Sequence, residues 1–190
     1  MKIEFSSEPT IAPDIVTSRL DLVTLTPATI RADRSRSSEF SELIAAEVPA
    51  EWPPEGWDEH AYDYVIDKFT KYPNSLGWGR YIVVRTPTRG HRILAGTCGA
   101  TLPIELKEDV EIGYGMLPAF QRCGYATEAV AGLTSWIFEH QHVRSICAQT
   151  FPHLFRSIRV LEKNGFSFAG SGFEDGAILF RKQRRGEGLL

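Results

Sequence analysis

The fold of this chain is decided by residues 110–140, which read VEIGYGMLPAFQRCGYATEAVAGLTSWIFEH. Up to Leu117 the stretch alternates apolar residues with others, which predicts a β-strand, and Pro118 ends it because proline cannot donate a ladder hydrogen bond. Farther on, apolar residues recur at helical spacing on one face. That face is formed by Ala126, Val130, Leu133 and Ile137. The sequence therefore predicts a strand, a short turn and an amphipathic helix.

The turn at residues 121–126 has the composition of an anion-binding loop. The first N–H groups of a helix have no internal partner, and the helix dipole places partial positive charge there. Gly124 and Ala126 carry little or no side chain, so a phosphate could approach the backbone closely. Arg122 adds a full positive charge. An ordinary strand-to-helix connection that contains a glycine is the alternative interpretation.

Two common nucleotide-binding motifs are absent from the sequence: a glycine-rich loop ending in Gly-Lys-Ser/Thr and a Gly-x-Gly-x-x-Gly turn. What remains is Gln121-x-x-Gly124-x-Ala126, which resembles motif A of the GNAT superfamily of acetyl-CoA-dependent N-acetyltransferases. The longer string from Glu111 is similar to the RimJ/RimL-like branch, which includes the ribosomal-protein-alanine N-acetyltransferases. A second segment, SIRVLEKNGF at residues 157–166, resembles motif B of the same family at the expected spacing.

The resemblance implies an α+β fold with a mixed, mostly antiparallel sheet of about six to seven strands flanked by helices. The order of elements read from the sequence agrees with such a fold. We expect one domain over residues 1–190, with an N-terminal arm at 1–14 and a flexible tail at 183–190.

The resemblance also implies acetyl-CoA as cofactor. The strand before motif A would pair with the pantetheine arm, the loop would hold the pyrophosphate, and a backbone N–H near Met116 or Leu117 would polarise the thioester carbonyl. The implied cofactor-binding residues are Met116, Leu117, Gln121, Arg122, Cys123, Gly124, Tyr125 and Ala126. Leu154 departs from the branch, which usually has asparagine there to help hold the cofactor.

Two catalytic residues follow from the same comparison. Glu111 is the candidate general base, acting through a water, although it could instead be an ion-paired or solvent-facing carboxylate. Ser157 lies where the branch often has a serine that protonates the leaving CoA thiolate. A plain helix N-cap is the alternative role of Ser157.

The acceptor would be a primary amine, either of a small molecule or of a protein N-terminus. In this fold the N-terminal helices and their loop wall the acceptor pocket, which points to Glu47, Trp52 and Trp57. Carboxylates beside aromatic rings would suit a cationic amine. The alternative is that Trp52 and Trp57 only pack the proline-rich loop onto the domain.

Composition excludes several other classes of protein. The chain has 190 residues, 43% of them hydrophobic and 24% charged, which is typical of one globular domain. A net charge of −3 gives no reason to expect general nucleic-acid binding. No signal peptide, membrane span or metal-ligand spacing is present in the sequence, and three cysteines without framework spacing suit a cytoplasmic protein. A homodimer is possible, as is common in the family.

The remaining elements follow from local patterns. We expect a strand at 15–25, a broken helix at 26–48 with Pro27 in its first turn, and a helix from an Asp58 N-cap to Lys71. On that last helix we expect Ala61, Tyr64, Val65 and Phe69 to face inward. We then expect a hairpin at 79–85 and 92–103 and a strand at 143–150. The chain ends with a helix at 157–164, closed by Gly165, and strands at 166–168 and 177–181.

The function predicted from sequence is direct transfer of an acetyl group from acetyl-CoA to a primary amine. Two other functions stay open at this point. The Leu154 departure would suit a non-catalytic acyl-CoA-binding or sensing module, and an interaction protein could retain the fold for packing alone.

Overall fold

The computed structural model describes residues 11–73, 77–88, 90–101 and 108–184. These residues form one mixed sheet of eight strands and five α-helices. The strands are β1 Ile15–Val16, β2 Leu20–Thr24, β3 Gly79–Arg85, β4 Arg92–Ala100, β5 Asp109–Met116, β6 Ser145–Thr150, β7 Ser167–Ser171 and β8 Ile178–Gln183. The helices are α1 Pro27–Arg34, α2 Glu39–Leu43, α3 Glu59–Lys71, α4 Tyr125–Ile137 and α5 Phe155–Lys163.

The sheet opens in its middle. Its order is β1-β2-β3-β4-β5-β6-β8-β7, and every neighbouring pair is antiparallel except β5 and β6. Strand β5 pairs with β4 through Ile112–Met116, whereas it pairs with β6 only through Asp109–Glu111. Beyond Glu111 the two strands therefore separate, and the second half of β5 has a free edge.

Helix α4 covers one face of the sheet because its apolar stripe repeats at helical spacing. Val130, Leu133 and Ile137 are fully buried, as is Ala129, while Ala126 at the start of the helix is only partly buried. They pack against the sheet in a core that includes Ile112 and Ile146 on either side of the opening. The packing of α4, rather than a continuous ladder, holds the two halves of the sheet together.

A second core lies on the opposite face. Helices α1 and α2 and the proline-rich loop 49–57 pack there against the other side of β3 and β4. Helix α1 begins as the sequence predicts, because the Thr26 side chain accepts from the Thr29 N–H and Pro27 occupies the first turn. This face carries the pocket described below.

Several expectations about the elements need correction. The sheet has eight strands rather than six to seven, because residues 15–25 form two strands and not one. Only Glu39–Leu43 is helical within 37–48, since Glu47 bridges to Ile93 near the start of β4. Helix α5 begins at Phe155, two residues early.

On α3, Val65 and Phe69 pack against the second core as predicted, but the buried residue is Tyr62, and Tyr64 is 47% exposed. Helix α3 contacts α1 as well as the sheet, and this turns its buried face toward Tyr62. The bounds of α3, with Asp58 as N-cap, are as predicted. So is the glycine that ends α5, since Gly165 has a φ of +77°.

The predicted arm and tail fall largely outside the described residues, at 1–10 and 185–190. Of the arm, Ala12 and Asp14 lie along β2, where each accepts a hydrogen bond from Thr24. At the other end, Gln183 still belongs to β8 rather than to a tail. Among the helices that the structure describes, none has the length and apolar character needed to span a bilayer.

Candidate active site

The free edge of β5 directs backbone groups into the opening. The Leu117 N–H donates to Ala95 O at 2.8 Å, on the β4 side. Because bonded residues alternate along an antiparallel ladder, the N–H groups of Tyr114 and Met116 face away from β4, toward the opening. Leu117 therefore cannot offer its N–H to a carbonyl group in the opening, which corrects that expectation, while Met116 can.

The loop after β5 contains two residues with a left-handed backbone. Gly124 is the N-cap of α4 and has a left-handed φ of +81°, and Arg122 has a φ of +63°. Gln121 ties the loop to β5, because its Nε2 donates to Met116 O at 3.1 Å. Its Oε1 accepts from Arg156 Nη1 at 3.0 Å, which brings a cation from α5 to the loop. The loop is thus held at one end of the opening.

Arg19 is a second cation at this loop, and sequence reasoning missed it. Its Nη1 donates to Cys123 O at 3.0 Å, its guanidinium lies 4.6 Å from the Tyr125 ring centre, and its Nε pairs with Glu128 at 2.7 Å. Burial opposes ionisation of Glu128, but hydrogen bonds from Thr17 and Arg19 outweigh it and lower the pKa of that carboxyl. Nothing local in the sequence links residue 19 to residue 123.

Among the other loop residues, Cys123 is exposed and its Sγ lies 3.4 Å from Gln121 O. Tyr125 is partly buried and packs against Phe120, with ring centres 6.5 Å apart. Leu154 is 43% exposed and caps α5 without a side-chain hydrogen bond.

Glu111 lies in β5 at the point where the sheet opens. Gln149 Nε2 donates to its Oε1 at 3.0 Å, and Thr101 Oγ1 lies 3.5 Å from its Oε2. Burial raises the pKa of Glu111 above its ordinary value, although these two hydrogen bonds work in the opposite direction. Because side chains alternate between the two faces of a strand, Glu111, Gly113 and Gly115 lie on the same face of β5.

Ser157 contacts β5 across the opening. Its hydroxyl lies 2.9 Å from the Tyr114 hydroxyl, which also donates to Ser157 O at 3.1 Å. The residue lies inside α5 rather than at its N-cap, so the capping role considered from sequence is wrong. Burial raises the pKa of Tyr114 to about 12, so the phenol stays protonated near neutral pH.

A cavity of about 340 Å³ lies on the same face as Glu111, between α3 and the sheet. Its floor is made of glycines on three adjacent strands, since Gly79 pairs with Gly99 and Gly99 pairs with Gly113. A Cβ added at Gly113 would meet no atom within 4 Å. The absence of side chains on this floor leaves room beneath α3, and the cavity extends along β5 to Gly115.

The structure brings only one of the three predicted acceptor residues to this cavity. Trp57 lines it. Trp52 is 9% exposed and packs in the second core, whereas Glu47 pairs at 2.8 Å with His91, just before β4. The packing role is therefore the correct one for Trp52, and Glu47 lies away from the cavity wall.

A buried carboxylate that sequence reasoning missed holds this region together. Asp33, which is 2% exposed, accepts at Oδ1 from Trp52 Nε1 at 2.7 Å and from the Tyr62 hydroxyl at 3.0 Å. At Oδ2 it accepts from the Tyr81 hydroxyl at 2.9 Å and from Trp57 Nε1 at 3.2 Å. One side chain thus fixes α1, α3, β3 and the loop that walls the cavity.

Within the described ranges, no group of three or more histidine, cysteine, aspartate or glutamate side chains could hold a metal ion. The arrangement instead joins three features at β5: a loop suited to an anion, an open strand edge and an adjacent cavity. The stretch from Gly113 to Met116 provides the open edge, the loop follows it in the chain, and the cavity lies on one face of it.

Comparison with known proteins decides the family. Residues 23–167 match the family described as the acetyltransferase (GNAT) domain. The chain belongs to the GNAT acetyltransferases. A curated relative, the uncharacterized N-acetyltransferase YjdG of Bacillus subtilis (strain 168), is 27% identical over 150 residues, which cover 79% of this chain and 87% of YjdG.

Solved GNAT structures share the fold at low identity. An acetyltransferase from Agrobacterium tumefaciens aligns with a TM-score of 0.60 and 19% identity, covering 97% of this chain and 99% of that one. RimL, a ribosomal-protein acetyltransferase solved with coenzyme A, aligns with a TM-score of 0.60 and 15% identity, covering 90% and 98%. The fold and acyltransferase class implied by motifs A and B are confirmed.

Proposed function

We propose that this GNAT protein transfers an acetyl group from acetyl-CoA directly to a primary amine, of a small molecule or a protein N-terminus. One observation carries the proposal: the part of β5 that is unpaired with β6 leads to the loop at residues 121–126, and its residues Gly113 to Gly115 also line the glycine-floored cavity. A cofactor bound along the opening would meet an amine in the cavity at the stretch from Gly113 to Met116. Among solved neighbours, MccE is in complex with acetyl-CoA and AMP.

The residues of the opening fit the cofactor. Tyr114 and Met116 offer backbone groups at a strand edge, which suits the amide-containing pantetheine arm. The backbone N–H groups after Gly124 and the cations Arg19 and Arg122 suit the pyrophosphate. A Cβ on Gly124 would lie only 3.3 Å from Arg19 Nη2, so a side chain there would enter this cradle.

Two side chains would handle protons. Acetyl-CoA would supply the activated thioester, and the Met116 N–H would polarise its carbonyl oxygen. Glu111 would accept the proton of the incoming amine through a water. Ser157, hydrogen-bonded to the protonated Tyr114, would donate a proton to the departing thiolate.

Titration of the protein with acetyl-CoA, followed by assay with peptides that begin with Ala or Ser, tests the function. We expect saturable binding and acetylation of the peptide α-amine. Binding of acetyl-CoA without turnover of any amine would favour a sensing module over a transferase. Failure to bind acetyl-CoA would favour an interaction protein.

The role proposed for Glu111 predicts a specific pH effect. A base acts only when deprotonated, so kcat/KM of the wild type should rise as pH rises through the pKa of Glu111, which burial raises. In Glu111→Gln this rise should disappear, and turnover should fall by about 100-fold, while affinity for acetyl-CoA stays within about twofold.

The measurement is a pH–rate profile of wild type, Glu111→Gln and the control Glu139→Gln, which changes an exposed carboxylate just after α4. The control should keep the wild-type profile. Identical profiles for all three proteins would remove Glu111 from the mechanism.

A further inference from the structure

Lys68 brings a positive charge into the cavity wall. It lies on α3, is partly buried, and donates from Nζ to Ala100 O at 3.0 Å. Its Nζ also lies 5.0 Å from the centre of the Tyr64 ring. Burial lowers the pKa of Lys68 to about 8.

The charge of Lys68 has no counter-ion in the described part of the chain. Its polar contacts there are a neutral carbonyl and an aromatic ring, and no carboxylate offsets the lowering of its pKa. Lys71, one turn farther along the outer side of the same helix, differs because it pairs with Asp67 at 2.7 Å. A partly buried, unpaired ammonium facing a cavity costs free energy unless an anion completes it.

The rest of the cavity wall is mainly apolar and aromatic. It includes Trp57, Tyr64, Val65, Phe69 and Tyr72. The other titratable groups around the cavity are Glu55 in the loop, the tyrosines Tyr64, Tyr72 and Tyr114, and Cys98, whose pKa is raised by burial to about 12. Lys68 is thus the cation of the described wall, in a setting that suits an apolar body with one anionic group.

We propose that the acceptor amine carries a carboxylate that pairs with Lys68, and that its apolar body lies against the aromatic wall. This inference rests on the proposed function, because it assumes that the cavity receives the acceptor. It modifies the sequence-based expectation of a cationic amine held by Glu47, Trp52 and Trp57, of which Trp57 alone lines the cavity.

The spacing within the sheet sets the length of this acceptor. The Lys68 ammonium donates to Ala100 O, and Ala100 pairs with Ile112. Gly115, where the cavity reaches the opening, lies three residues farther along β5 than Ile112. At ~3.4 Å per residue, that separation is ~10 Å. An extended peptide covers ~3.3–3.6 Å per residue, so the amine and the carboxylate should be about two to three residues apart. The carboxylate could be a peptide C-terminus or an acidic side chain near a protein N-terminus.

Calorimetric titration of peptides in the presence of CoA tests the proposal without requiring turnover. The probes are Ala-Ala-Phe with a free C-terminus and its C-terminal amide, which differ only in the carboxylate. Ala-Phe-Asp amide and Ala-Phe-Asn amide form a second pair that tests an acidic side chain as the source. We expect at least one acid to bind wild type about tenfold or more tighter than its neutral partner.

Two variants assign that preference to Lys68. Lys68→Met keeps the bulk of the side chain and removes a poorly compensated charge, so it should fold, and its acid-to-neutral affinity ratio should fall to about one. Lys71→Met changes an exposed lysine of the same helix and should keep the wild-type ratio. Equal affinities in both pairs, no binding of any peptide, or an unchanged ratio in Lys68→Met would each overturn the proposal.

Turnover of the same peptides separates this inference from the proposed function. Acetylation of the neutral peptides without a preference for the acids would leave the transferase in place and overturn the role of Lys68. Binding of an acid that depends on Lys68 without acetylation would support the anion site and contradict the transferase.

Discussion

Replacing Gly124 by glutamate is expected to abolish acetyl-CoA binding. The residue has a φ of +81° at the N-cap of α4, and a side chain there would approach Arg19 Nη2. A glutamate carboxylate could pair with that guanidinium and so occupy the place proposed for the pyrophosphate. It would also set a negative charge against the incoming phosphates. We expect at least about a 100-fold loss of affinity by calorimetry.

Two control variants separate the causes of this loss. Gly124→Gln has the same bulk and backbone strain without the charge, so it should bind more weakly than wild type but more tightly than Gly124→Glu. Gly90→Glu introduces the same residue at a similar φ of +80°, in the turn between β3 and β4 and with open space around its Cβ. It should bind acetyl-CoA as wild type does. Wild-type affinity in Gly124→Glu would show that the loop is not the cradle.

Replacing Asp33 by alanine should lower the free energy of unfolding more than any other substitution proposed here. Four donors, two indoles and two phenols, meet this one buried carboxylate. Their loss of an acceptor costs about 1–3 kcal/mol for each group that stays buried without a partner. Because some of the donors would find water in a relaxed loop, we expect the free energy of unfolding to fall by roughly 4 kcal/mol.

Urea unfolding measures this change. The control is Asp63→Ala, which removes a carboxylate with an exposed side chain that pairs with Arg34 at 2.8 Å. An exposed pair is screened by solvent and contributes little to stability, so this variant should unfold close to wild type. If Asp33→Ala lowers the free energy of unfolding no more than Asp63→Ala does, the four hydrogen bonds do not stabilise the fold. In a folded Asp33→Ala protein, Trp57 should lose its fixed place on the cavity wall.

Sequence reasoning succeeds here where short-range signals decide the structure. Helix α3 follows its Asp58 N-cap, and β5 ends at Met116, two residues before Pro118, because each signal lies within a few residues of the element it shapes. The position of Gly165 was likewise predictable, since it lies at the C-terminal end of a helix, where a left-handed glycine is common. The family resemblance rested on these same local stretches.

What the sequence did not reveal depends on contacts between distant residues. Arg19 reaches Cys123 across 104 positions, and Asp33 reaches Tyr81 across 48. In the sequence Lys68 looks like an ordinary surface lysine, and only the register of the sheet shows that glycines from three strands lie together beneath it. Trp52 and Trp57 look alike in sequence, yet one is core and the other lines the cavity, because only the fold determines which side of the loop each faces.

The short contact between β5 and β6 also bears on how the molecule resists deformation. Three residue pairs join the two parts of the sheet, whereas β3 and β4 share seven. Backbone hydrogen bonds therefore contribute little resistance to widening at this seam, and the side chains beneath α4 and α5 must supply most of it. Substitutions in that packing, far from the chemistry, could change the elasticity of the opening while leaving every group around it intact. The width of the site is in this sense a property of the core.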